Sequence, residues 1–213
     1  MPRLPAPPPL HEPLGALLGT QAKVSLLRVL TAGGAPLSQR ELSRRTGVSL
    51  RSVQAALADL YALGVAKKLE GGRDHLTLLN ERHRLAPALV ALFRAEAEMT
   101  LELRQAVVAV ARAHDRPPLG VYLFGSVARA QETPESDLDV LLIARDAAHR
   151  DLLMERMLTG VESLRLRFGT TVSPLVYSVT QARRGVRERS APWPELARDV
   201  VPMFGPPLTD LLT

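Results

Sequence analysis

The residues best suited to chemistry lie between Leu119 and Ala144. Gly125-Ser126 follows the apolar run Val121–Phe124, and Asp137 and Asp139 open a second apolar run, Leu138–Ile143. Both runs have the length of buried strands and are bounded by turn residues. A small-residue turn between a strand and a short helix presents backbone N–H groups, which suit a phosphate. Residues i and i+2 of a strand project to one face, so the carboxylates of Asp137 and Asp139 stand side by side. They repel each other unless a cation lies between them, and oxygen ligands suit Mg²⁺ or Mn²⁺. A phosphate seat facing a divalent-metal seat describes a site for a nucleoside triphosphate. An EF-hand is excluded, because Leu141 and Leu142 stand where ligands and a glycine are needed.

Gly125-Ser126, ten intervening residues and Asp137-Leu138-Asp139-Val140 resemble the signature of polymerase-beta-type nucleotidyltransferases. The local form Gly-Ser-x-Ala-Arg…Ser-Asp-x-Asp is similar to the small prokaryotic branch of that family. The resemblance covers about residues 100–190. It implies a nucleotide seat at Gly125, Ser126 and Arg129, and metal-bridging, catalytic carboxylates at Asp137 and Asp139. Arg129 has two readings, a phosphate ligand or a solvated arginine at a helix end. Catalytic members of the family carry a third carboxylate on the next strand. Here Val172-Ser173-Pro174-Leu175-Val176 offers Ser173 at most, and Ala130 replaces the glycine usual after the arginine. The resemblance also implies a partner toxin protein, since small nucleotidyltransferases often form one half of toxin–antitoxin pairs.

Stepping outward, the 213 residues suffice for one large or two small domains. The chain has no cysteine, hence no disulfide or thiolate metal site, and its five histidines include no i, i+4 pair suited to zinc. No apolar run approaches the roughly 18 residues of a membrane span, and no signal segment is recognised. A cytoplasmic protein is the simplest expectation. The first thirteen residues hold six prolines and read as an extended, disordered arm.

Residues 14–87 read as a second functional module. Ala22–Leu30 is helical and ends at Gly33-Gly34. Ser38 caps a helix over Gln39–Arg45, with Glu41 completing a capping box. Thr46-Gly47-Val48 turns into a helix from Ser49 to about Leu63, its stripe formed by Val53, Leu57 and Leu60. Val65–Glu70, Gly71-Gly72 and Arg73–Leu79 form a hairpin. This order resembles the winged helix-turn-helix domains of prokaryotic transcription regulators, which implies binding to double-stranded DNA; a helical bundle with an attached hairpin is the alternative. Charge agrees: residues 1–95 hold 13 Lys+Arg against 6 Asp+Glu, net +7, whereas the remainder is −2. Arg44, Arg45, Arg51, Lys67, Lys68 and Arg73 are the expected backbone contacts, and Arg51 and Gln54 the expected base readers.

The pattern over Ala88–His114 is helical, with Met99, Leu103, Ala106, Val107 and Val110 on one stripe and Leu101 and Val108 on a second. So broad an apolar face predicts burial against the sheet and against a second subunit, hence a homodimer. Residues 88–118 are read as a connector, 119–205 as the nucleotidyltransferase domain and 206–213 as a tail. Within that domain Ala147–Phe168 is expected as a helix with Leu152, Leu153, Met157 and Leu164 inward. Thr171–Ser178 follows as an edge strand marked by Pro174. Closing helices are expected over Gln181–Arg189 and Pro194–Val201, with a loose end from Pro202. The fold class is α+β, a winged helix-turn-helix followed by a small mixed sheet with flanking helices. Two functions follow: Mg²⁺-dependent nucleotidyl transfer from a nucleoside triphosphate to a protein or nucleic acid, or a DNA-bound regulator whose degenerate domain senses nucleotide or mediates dimerisation.

Overall fold

The computed structural model describes residues 13–69, 75–113, 115–129, 131, 133 and 136–213. The proline-rich arm through residue 12, the Gly71-Gly72 turn, Arg73 and Ala130 lie outside the described residues. The chain divides into two compact units, Met1–Glu98 and Met99–Thr213.

The first unit packs four helices and part of a fifth around one core: α1 (Pro13–Leu18), α2 (Gln21–Thr31), α3 (Gln39–Thr46), α4 (Leu50–Ala62) and the start of α5 (Ala86–Arg112). The short strand β1 (Leu37–Ser38) pairs with the antiparallel hairpin of β2 (Ala66–Leu69) and β3 (Leu76–Leu79) in the order β1-β3-β2. Thr20, Ser38 and Ser49 cap α2, α3 and α4 by accepting backbone N–H bonds. Leu26 and Leu27 of α2, Leu42 of α3, and Val53, Leu57 and Leu60 of α4 are fully buried together. The expected capping box at Ser38 is only half made. Its hydroxyl accepts from Glu41 N–H at 3.2 Å, but the Glu41 carboxylate turns forward to Arg44 and Arg45. Opposite charge three and four residues ahead on the helix outcompetes a neutral backbone donor. Helix α1 was not expected; its six residues are too few to show a period, and Leu17 seals the core.

The second unit is a four-stranded sheet of β4 (Gly120–Leu123), β5 (Leu138–Ala144), β6 (Val172–Ser178) and β7 (Val201–Phe204), in the order β6-β5-β4-β7. β5 runs antiparallel to β4 and parallel to β6, and β7 is antiparallel to β4. Strand alternation sends Val121, Leu123, Val140 and Leu142 to one face, under the end of α5 and α7 (Ala147–Phe168). It sends Tyr122, Leu141 and Ile143 to the other, under α8 (Val179–Glu188), α9 (Trp193–Asp199) and α10 (Leu208–Leu212). Between β4 and β5 lies the single turn α6 (Gly125–Ala128).

Three expectations are corrected in this unit. The stretch after Pro202 is not loose: β7 completes the sheet, and Leu208 of α10 is buried. The Tyr122 hydroxyl donates to Pro206 O at 2.8 Å, across 84 residues of sequence. Leu152, expected inward, is 53 % exposed, whereas Leu153, Met157 and Leu164 are buried as expected. Met99 and Leu101 of α5 are also exposed, while Leu103, Val107 and Ala111 carry its contact with the sheet. Among the described residues no helix is long and apolar enough to cross a membrane.

Candidate functional site

The site forms where β4 ends and β5 and β6 begin. The β4–β5 ladder runs to Leu123↔Val140 and continues through Phe124 N–H donating to Asp139 O at 3.1 Å. The chain must turn at the next residue, directly beside the Asp139 side chain. Gly125 makes that turn at φ +76°, a backbone region that favours glycine. A Cβ there would run into the Asp139 carboxylate oxygen Oδ2. Glycine at 125 thus allows both the turn and the approach of the carboxylate to the backbone.

Asp139 is half-buried and Asp137 exposed. Burial, then the negative charge of Asp137, pushes the Asp139 carboxyl above its ordinary value, and Arg129 pulls the other way. A carboxylate whose ionised form is opposed by burial and by a second carboxylate, beside a glycine turn with no Cβ, suits a hard divalent cation. Register settles the place of Ser173. It pairs with Asp139 across the parallel β5–β6 ladder, and its hydroxyl donates to Asp137 Oδ2 at 3.1 Å. Ser173 therefore sets a neutral hydroxyl beside the two carboxylates at this edge of the sheet. Among the described residues no three His, Cys, Asp or Glu side chains are grouped to hold a metal. Asp137 and Asp139 are the carboxylates here that could hold a hard cation such as Mg²⁺ or Mn²⁺.

Ser126 stands in the first turn of α6, which has only four residues. With so short a helix, what this turn can offer an anion is its backbone N–H groups, not a helix dipole. Arg129 follows α6, and its guanidinium donates to Asp199 Oδ2 and Gln131 Oε1, each at 3.2 Å. Asp199, at the end of α9, was missed by sequence reasoning, and nothing in its surroundings marks it, seventy positions from its partner.

The described positions expected to meet DNA are exposed but differently occupied. Arg44 and Arg45, in the last turn of α3, are both held by Glu41, at 2.6 and 2.7 Å. Arg51 and Gln54 face solvent on α4, with Gln54 donating to Gln39 Oε1 at 3.3 Å. Lys67 and Lys68 are adjacent on β2, so their side chains leave opposite faces of the hairpin. The Lys68 ammonium lies 4.8 Å from the centre of the Tyr61 ring, on the side facing α4.

Comparison with known proteins bears on the second unit. Residues 104–177 match the family model of the nucleotidyltransferase domain. The matched stretch contains Gly125, Ser126, Arg129, Asp137, Asp139 and Ser173, and stops before Asp199. A solved structure described as a toxin-antitoxin with AMP-PNP is similar at 16 % identity, over 51 % of this chain and 77 % of that one, with a TM-score of 0.33. Among curated proteins none matches this chain.

Proposed function

We propose that the second unit binds a nucleoside triphosphate with one divalent cation and transfers its nucleotidyl group to a protein or nucleic-acid acceptor. The observation that carries this reading is the abutment of the Gly125 turn on Asp139, with Asp137 beside it. The backbone of Gly125-Ser126 receives the distal phosphates. Asp137 and Asp139 hold the cation, which would neutralise phosphate charge and fix the α-phosphate for displacement. Arg129 turns from Asp199 to the phosphates; its present ion pair is half-exposed, at 44 % and 32 %, so little stability is lost by exchanging it. The first unit supplies a winged helix-turn-helix that binds double-stranded DNA, supported by its helices α2, α3 and α4, its hairpin and the net +7 of residues 1–95. A protein acceptor such as a partner toxin is implied by the likeness to small nucleotidyltransferases, and Met99 and Leu101 leave apolar surface for a homodimer.

One observation favours a second reading, a regulator that senses nucleotide without turnover. Ser173 supplies no charge where a third carboxylate would anchor the acceptor side. Calorimetric titration with Mg²⁺ and each nucleoside triphosphate tests the site. The wild type should bind, and the Asp137→Asn, Asp139→Asn double variant should not; equal affinities would overturn both readings. Transfer of α-label to any acceptor then separates enzyme from sensor.

A further inference from the structure

Three adjacent strands deliver one functional group each to the same edge of the sheet. Because β4 is antiparallel to β5 and β6 is parallel to it, the end of β4 lies beside the starts of β5 and β6. The order across that edge is the Gly125-Ser126 turn, the Asp137 and Asp139 carboxylates, then the Ser173 hydroxyl. Strands lie about 4.8 Å apart, which puts the turn and Ser173 roughly 10 Å apart on opposite sides of the carboxylates. Displacement at phosphorus requires the nucleophile and the leaving group on opposite sides of the phosphorus atom. With the distal phosphates in the turn and the α-phosphate over the carboxylates, the place opposite the leaving group falls on Ser173. Its Oγ–H already donates to Asp137 Oδ2 at 3.1 Å, within reach of a general base.

The geometry points to Ser173 as a nucleotidyl acceptor in its own right, modified by the nucleoside triphosphate bound beside it. This rests on the nucleotide-binding reading above. Ser173 Oγ forms a bond to the α-phosphorus, and the bond from that phosphorus to the oxygen bridging to the β-phosphate breaks. Pyrophosphate leaves with the electron pair, and the Oγ proton passes to the Asp137 carboxylate. The product is a phosphodiester between Ser173 and the nucleoside. It occupies the acceptor side, so the reaction stops at one group per chain.

The full chain is incubated with Mg²⁺ and, separately, ATP, CTP, GTP and UTP labelled at the α- or the γ-phosphate, then digested and mapped by tandem mass spectrometry. Expected is at most one nucleotidyl group per chain, on Ser173, with α-label retained and γ-label released. Ser173→Ala should carry no label, and Ser173→Thr, which keeps a hydroxyl, should carry it. Asp137→Asn should slow labelling by about 10²–10⁴-fold. Nucleotide bound by the wild type without covalent label, or label on another residue, would overturn the acceptor assignment and leave the nucleotide site standing. A wild type that binds no nucleotide would overturn both.

Discussion

The helix α3 and the sheet edge shared by β4, β5 and β6 assemble their charged groups in opposite ways. On α3, near neighbours in sequence decide what a charged side chain meets: Glu41 takes Arg44 and Arg45 from its own helix, although Lys23–Asp59 and Arg28–Glu96 elsewhere in the first unit pair across long stretches of sequence. From Met99 onward, strand register unites positions 125, 137, 139 and 173. Exposed pairs on one helix contribute a few tenths of a kcal/mol and rearrange easily. A register-built cluster is placed by the whole ladder, so a single backbone change at its edge displaces every member. The ion pairs on α3 can therefore rearrange, whereas the edge shared by β4, β5 and β6 holds a fixed geometry.

The strongest break of that contrast is at Gly125. Gly125→Ala forces a side chain into φ +76° and drives the Asp139 carboxylate away. The backbone term alone should cost about 1–2 kcal/mol, read by denaturant unfolding. Any nucleotidyl transfer should fall by about 10²-fold or more, because phosphate seat and carboxylate move together. Gly47→Ala, at φ +69° with open space around it, should show the backbone cost without loss of nucleotide binding. If both variants transfer equally well, the turn is not the phosphate seat.

Asp139 sharpens the contrast through stability. An acid whose carboxyl is raised on folding stabilises the fold in its protonated form. That contribution is full below the ordinary carboxylate value and is lost as pH rises through the raised one. At neutral pH the ionised Asp139 opposes folding because of its burial and of Asp137. Asp139→Asn should therefore raise the melting temperature while abolishing metal-dependent nucleotide binding. The rise should be seen at pH 7 and vanish as the pH is lowered to about 3, below the ordinary aspartate value. A melting temperature lowered by the substitution at neutral pH would show that the charge is already compensated.

In the first unit the two lysines of β2 should separate. Lys67 faces away from the surface that carries Lys68 and Tyr61. If the hairpin meets DNA, one of the two makes the phosphate contact, and only its replacement by alanine should flatten the salt dependence of binding, by about one unit of slope. Lys68→Ala should instead lower stability, by about 0.5–1 kcal/mol, through the lost stacking on Tyr61. Equal salt slopes for both variants would show that neither lysine, or both, reaches a phosphate.

How much of this was legible follows the same division. Capped helices with a clear apolar stripe were read correctly, because Ser38, Ser49, Gly47, Gly64 and Gly169 mark their ends with local chemistry. Both site strands were legible as short apolar runs bounded by turn residues, and the carboxylate pair from its i, i+2 spacing. The lysine split was legible too, since adjacent strand residues always diverge, yet net charge alone concealed it. β7 was not legible: Val201–Phe204 is four residues with a proline, and it is a strand because β4 lies open beside it. Nor was the seating of the C-terminal segment, which depends on Tyr122, a residue 84 positions earlier whose phenol burial pushes up to about 12. Asp199 reaches Arg129 by the same nonlocal packing. Contacts made by tertiary packing leave no period or cap to read.

The smallest effect tests whether local pairing regulates the first unit. Glu41 holds Arg44 and Arg45 at once, and those two arginines, Arg44 first, keep its carboxyl down at about 2. Glu41 is therefore ionised at neutral pH and available to both arginines, which a competing anion can draw away. A DNA phosphate must displace Glu41, and its gain is reduced by the ion pairs it breaks. Glu41→Gln removes that competition without changing side-chain size, and Ser38 still caps the helix through the Glu41 backbone N–H. If Arg44 and Arg45 meet the duplex, the variant should bind it more tightly by about two- to fivefold, the scale of one or two exposed pairs. The plot of log affinity against log salt should steepen by up to about two units as two further phosphates are neutralised. Unchanged affinity and slope, measured by fluorescence anisotropy across a salt series, would place the end of α3 away from the DNA and leave α4 and the hairpin to carry the contact.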